Sequence, residues 1–99
     1  MDEPGKLGDV ATRLLFENDR VKVWEMLLEP SESSALHKHT MDYLLCIIEG
    51  ESIDADRADG STIHVPVEAG DVFFVPPRAT ETAINRSGKR YQEILIELK

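Results

Sequence analysis

The sequence predicts an all-β fold in a single domain, a sandwich or barrel of roughly eight to ten strands. Three observations carry that prediction. Apolar residues come in short runs, and turn residues separate the runs at close intervals. A helical period is hard to find anywhere along the chain. The length of 99 residues suffices for one hydrophobic core and not for two.

The elements follow in order. Leu14 to Phe16 leads into Glu17-Asn18-Asp19, a polar turn. Arg20 to Glu29 reads as a long strand, apolar at Val21, Val23, Trp24, Met26, Leu27 and Leu28, and Pro30 stops it. Trp24 and Met26 share a face by parity, suited to the core or to the lining of a cavity. After a Ser/Glu-rich loop come His37-Lys38-His39, then Tyr43 to Ile48, rich enough in aliphatic residues to be buried. Ser52 to Arg57 and Thr62 to Val67 pair across Asp59-Gly60, a hairpin signal. Glu68 to Asp71 turns the chain into Val72 to Val75, which Pro76-Pro77 closes. Thr80 to Asn85, a turn at Arg86 to Lys89, and the strand Tyr91 to Leu98 complete the pattern. Residues 1–8 read as a flexible tail and 9–99 as the folded domain.

Composition excludes several function classes. A formal net charge of −8 argues against nucleic acid, whose phosphates need clustered Lys and Arg, and against anionic membrane surfaces. No apolar run approaches spanning length. The start, Met1-Asp2-Glu3-Pro4-Gly5, lacks the basic and apolar segments of a signal peptide. Cys46 is the single cysteine, placed to pack among aliphatics, and a cytoplasmic setting fits.

Chemistry concentrates at His37 and His39. In an extended strand they point the same way, about 6–7 Å apart, and two imidazoles facing one apolar interior can hold a metal. Taken alone, a His-x-His pair is a weak signal. His64 alternates with Ile63 and Val65 and has no partner at motif spacing, so it is expected on the exposed face. Asp54, Asp56 and Asp59 are explained by strand alternation and the hairpin, without calcium.

The spacing around these histidines resembles the cupin superfamily. The family's first motif places a glycine, His-x-His, a glutamate and a second glycine at intervals matched here by Ser31, His37, His39, Tyr43 and Gly50. The second motif is matched in spacing by Gly70, Pro76, Arg78, Glu81 and Asn85. The resemblance implies a cupin jelly-roll (double-stranded β-helix) barrel. It further implies a metal held by residues at the motif positions, but two residue types differ. Tyr43 stands where the family has its glutamate, and Glu81 where it has its third histidine. Carried over position by position, the ligands are His37, His39 and Glu81, a two-histidine, one-carboxylate set suited to non-haem Fe(II), with Zn, Mn or Ni as other occupants. Tyr43 is expected beside the metal as a hydrogen-bond donor or proton shuttle, since a neutral phenol is a poor ligand. Arg78, in place of a turn glycine, is expected as a solvated loop residue.

The function expected from this set is a metal-dependent enzyme, of dioxygenase type or a Lewis-acid isomerase or lyase, acting on a small organic acid or ketone. The alternatives are a non-catalytic small-molecule-binding cupin and a metal-free structural barrel. A homodimer is also expected, because both faces of Tyr43 to Ile48 are apolar and one of them needs cover outside the barrel.

Overall fold

Among the described residues, alternation and turn chemistry resolve into eight strands: β1 (Arg13–Glu17), β2 (Val21–Leu28), β3 (Tyr43–Glu49), β4 (Ser52–Arg57), β5 (Thr62–Pro66), β6 (Val72–Val75), β7 (Glu81–Ile84) and β8 (Tyr91–Leu98). The structure is a computed structural model that describes residues 11–77 and 80–99. The expected tail at 1–8 and the expected solvated loop residue Arg78 lie outside the described residues. Five strands form one sheet in the order β1-β2-β8-β3-β6, and three form a second in the order β5-β4-β7. All named pairings are antiparallel. The two sheets make the jelly-roll barrel that the family resemblance implied.

Turn residues act as their chemistry requires. The Asn18 side chain accepts hydrogen bonds from the backbone N–H groups of Arg20 and Val21, closing the β1–β2 turn. In the β4–β5 hairpin Gly60 has φ +92°, and the Asp59 carboxylate accepts from the Ser61 N–H and hydroxyl. Gly50 is needed for two reasons. Its φ is +147°, and a Cβ there would lie 2.8 Å from the Tyr91 ring.

Period-two alternation decides which side chains enter the barrel. On β2 the buried positions are Trp24, Met26 and Leu28; on β8 they are Tyr91, Glu93, Leu95 and Glu97. The aliphatic face of β8, with Ile94 and Ile96, therefore points outward, and two glutamates point in. Register causes this. β8 is paired along its whole length with β2, Leu95 opposite Trp24, so the inward parity of the tryptophan face imposes itself on β8. The Trp24 indole N–H donates to the Glu97 carboxylate at 2.7 Å, which satisfies both buried groups.

One local expectation is corrected. His37-Lys38-His39 does not form a regular strand. Residues 31–37 instead run beside residues 81–85, held by Ser31 N–H to Asn85 O (2.8 Å), Ser34 N–H to Ala83 O (2.8 Å) and a reciprocal pair between His37 and Glu81 (2.9 and 2.8 Å). Ser31 takes φ +75°, the left-handed conformation that explains a glycine at this place in related motifs. Asn85, fully buried, donates through its side-chain amide to the carbonyls of Leu28 and Lys89 and accepts from Ser87. These bonds clamp the two motifs together. They, not strand alternation, bring His37 against Glu81.

Candidate metal centre

His37, His39 and Glu81 are buried, with relative exposures of 2%, 4% and 4%. One potential ligand atom from each lies within 4.8 Å of the others. Metal–ligand bonds of about 2.1 Å set donor atoms about 3–4 Å apart, so a side-chain adjustment of about an ångström closes such a shell. The His37 ring is already oriented for ligation. Its Nδ1 lies 2.8 Å from the Ala35 carbonyl, and a carbonyl only accepts, so Nδ1 carries the proton and Nε2 keeps its lone pair. A backbone carbonyl behind a histidine is the usual outer support of a metal ligand. The residues present thus fit a divalent ion on donor chemistry, burial and tautomer.

Tyr43, the first residue of β3, is 2% exposed and stacks on His39 with ring centroids 4.0 Å apart and planes at 20°. The two imidazoles meet edge to face at 4.8 Å. Tyr43 thus fixes the plane of His39 while its hydroxyl-bearing ring lines the same cavity.

That cavity measures about 360 Å³ and lies between the two sheets. Its walls are mostly aliphatic, including Met26, Ile47, Ile53, Val65, Val67 and Leu95. Two polar residues in it were not singled out from the sequence. Tyr91 is fully buried and its hydroxyl donates a short hydrogen bond to Oε1 of Glu93. Burial pushes the Glu93 carboxyl up to about 7; the Tyr91 bond opposes this and the Glu81 charge adds to it. Burial, followed by the neighbouring Glu93 carboxylate, raises the Tyr91 phenol far above its ordinary range. The signal available in the sequence was parity: Tyr91, Glu93, Leu95 and Glu97 share one face, but glutamates on a strand usually mark the wet side.

Of the other residues considered from the sequence, Asp54 is buried and reaches the cavity wall. His64 is on the exposed face, as expected, and its Nδ1 lies 2.6 Å from the Asp54 carboxylate. Arg86 binds Asp54 and, through two nitrogens, Asp56. Burial pushes Asp54 up, but His64 and Arg86 together bring it below its usual value. Arg86 and Thr62 hold Asp56 down at about 2. The acidic stretch is thus accounted for by side chains of the described residues. Cys46 is half-buried on the outward face of β3.

A small antiparallel barrel with imidazole and carboxylate donors converging inside it defines a class of proteins built around an interior site. The sequence profile described as Cupin domain matches residues 24–96, and the chain belongs to the cupin family. Among solved structures it is similar to a cupin domain from Bordetella pertussis Tohama I, at 24% identity and TM-score 0.79, covering 95% of this chain and 96% of that one. It is also similar to an uncharacterized conserved protein with a double-stranded β-helix domain from Klebsiella pneumoniae, at 19% identity and TM-score 0.68, covering 86% and 72%. A cupin 2 conserved barrel domain protein from Salinispora arenicola aligns at 20% identity and TM-score 0.64, covering 88% and 73%. No curated protein matches the chain. No helix among the described residues is long and apolar enough to cross a membrane.

Proposed function

We propose that this cupin is a metal-dependent enzyme acting on a small organic acid or ketone, with His37, His39 and Glu81 as metal ligands. The observation that carries the reading is the convergence of three buried donors, one of them with its tautomer set by the Ala35 carbonyl. Fe(II) suits this set best, with Zn, Mn or Ni as other occupants. Two neutral imidazoles and one carboxylate around a divalent ion leave a site charge of +1, which attracts an anionic or enolisable oxygen ligand. Such an ion supplies Lewis acidity or, as iron, access to oxygen chemistry. The chain supplies the rest. The aliphatic walls strip water from the substrate, and the Tyr43 hydroxyl holds or moves a proton beside the ligands. A cytoplasmic setting belongs to the same proposal.

The test is elemental analysis of protein purified without an affinity tag, with close to one transition-metal ion per chain expected. Chelator-treated protein that keeps its barrel by circular dichroism yet takes up no Fe, Ni, Mn, Zn or Cu would falsify the proposal. Tyr43→Phe separates enzyme from passive binder. It is expected to retain the metal and lose turnover on a panel of chelating acids and diketones by on the order of 100-fold. Unchanged turnover would remove Tyr43 from proton transfer.

A homodimer belongs to this proposal as well. The outward face of β6, β3 and β8 carries two apolar rows, Phe74–Leu44–Ile96 and Val72–Cys46–Ile94, aligned by register. Val72 and Phe74 are each 62% exposed. A second copy laid on this face buries both rows. Light scattering at micromolar concentration is expected to give twice the chain mass, and Phe74→Glu to give the monomer. A monomer mass for the unaltered protein would count against it.

A further inference from the structure

We propose that Tyr91 and Glu93 form a second polar subsite in the cavity, which binds a hydroxyl group on the substrate. The inference rests on the metal-dependent reading only for the substrate's chelating end.

Glu93 is 3% exposed and lines the cavity from the five-stranded sheet, across from Glu81 on the three-stranded one. Its Oε1 accepts from the Tyr91 hydroxyl, whereas Oε2 is buried and has no hydrogen-bond partner among the described residues. Leaving a buried carboxyl oxygen without a partner is unfavourable, so such a group marks a place where a ligand atom completes the bonding. Tyr91 is fully buried and packed on Gly50, and its bond to Oε1 holds the carboxyl plane with Oε2 as its open atom. This is a built and oriented acceptor.

Position supplies the substrate's shape. On β3 the metal end is marked by Tyr43, opposite Glu97; Glu93 stands opposite Ile47, four residues further along. The cross-strand partners Leu45 and Leu95, both lining the cavity, lie between these backbone positions, while the Glu93 carboxyl itself faces Glu81 closely enough to feel its charge. The complementary molecule is therefore compact, with a chelating oxygen group for the ligand cluster and a hydroxyl for Glu93, both set against the apolar walls. A hydroxyl donates to the carboxylate and accepts from the protonated acid, so it satisfies Oε2 in either state.

The test reads the two ends separately. Metal-free protein is titrated by NMR with phenol and with fluorobenzene, which are nearly isosteric and differ in the hydroxyl. The ratio of their dissociation constants is compared between the protein and Glu93→Leu. The phenol preference is expected to fall by about tenfold in Glu93→Leu, the free-energy equivalent of one buried hydrogen bond. Glu93→Gln, which keeps an accepting oxygen, is expected to retain most of it. An unchanged ratio in Glu93→Leu overturns the subsite. Should that variant not fold, intermolecular NOEs from phenol to the Tyr91 ring carry the test: their presence supports the subsite and their absence overturns it. Co(II) uptake is measured in parallel. Absence of uptake by the unaltered protein removes the metal reading and leaves the subsite to the phenol ratio. Loss of uptake in folded Glu93→Leu makes Glu93 a ligand and overturns the subsite.

Discussion

Glu81→Ala is expected to lower metal affinity by on the order of 100-fold or more, the largest change of any single substitution in the cavity. Outer partners of metal ligands alone are worth 10–100-fold, and Glu81 is the one anionic donor in the three-residue cluster. Removing it leaves two neutral imidazoles to bind a divalent ion inside an apolar barrel, where charge is poorly solvated. The fold is expected to survive, because Glu81 joins β7 to the 31–37 segment through its backbone N–H and C=O, which alanine retains. His64→Ala serves as a control with unchanged metal content, since the His64 side chain is exposed and lies outside the three-residue cluster. Glu81→His is expected to restore binding by supplying a neutral nitrogen donor at the same position. The measurement is metal content per chain after dialysis against a graded chelator series. If Glu81→Ala keeps its metal while Tyr43→Phe loses it, the roles of these two residues are exchanged.

The second large effect is on stability against pH. Glu93 has its carboxyl raised from an ordinary 4.5 to about 7 in the folded protein. The native state therefore holds this proton more tightly than the unfolded chain does. The sign follows directly: stability from this group is fully present below pH 4.5, declines as pH rises from 4.5 to 7, and is gone above that window. The difference amounts to about 3 kcal/mol, and the groups facing Glu93 are Tyr91 and Glu81. In metal-free protein the thermal midpoint is expected to fall by on the order of 10 °C between pH 5 and pH 8. In Glu93→Gln that slope should flatten. Asp56, held down at about 2 by Arg86, acts in the opposite sense but only under more acid conditions, so it does not enter this window. Equal slopes in the two proteins would show that Glu93 ionises as readily in the folded state as in the unfolded one.

Much of the architecture was legible in the residues. The strands Ser52–Arg57, Val72–Val75 and Tyr91–Leu98 appear with the bounds their apolar runs and flanking turns predicted. The reason is local: Asp59-Gly60, Glu68 to Asp71 and Pro76-Pro77 each permit few backbone conformations, and those conformations end strands. That His37, His39 and Glu81 come together in one cluster was legible through motif spacing. Their geometry was not. Alternation would have placed the histidines on a regular strand, whereas hydrogen bonds to residues 81–85, more than forty positions away, hold the segment in an irregular path.

Parity alone left β8 open as well. Ile94, Ile96 and Leu98 make the more apolar face, and hydropathy favours turning it inward. Pairing with β2 on one side and β3 on the other turns in Tyr91, Glu93, Leu95 and Glu97 instead. What the sequence determined by itself was the all-β class, the turn positions and the residue types able to meet a metal, because these depend on neighbours within a few positions. What only the tertiary structure decided was which face of each strand lines the cavity, and hence the Tyr91–Glu93 pair. Register between distant strands is set by the sum of many cross-strand contacts, and a shift of one residue exchanges the two faces of a strand.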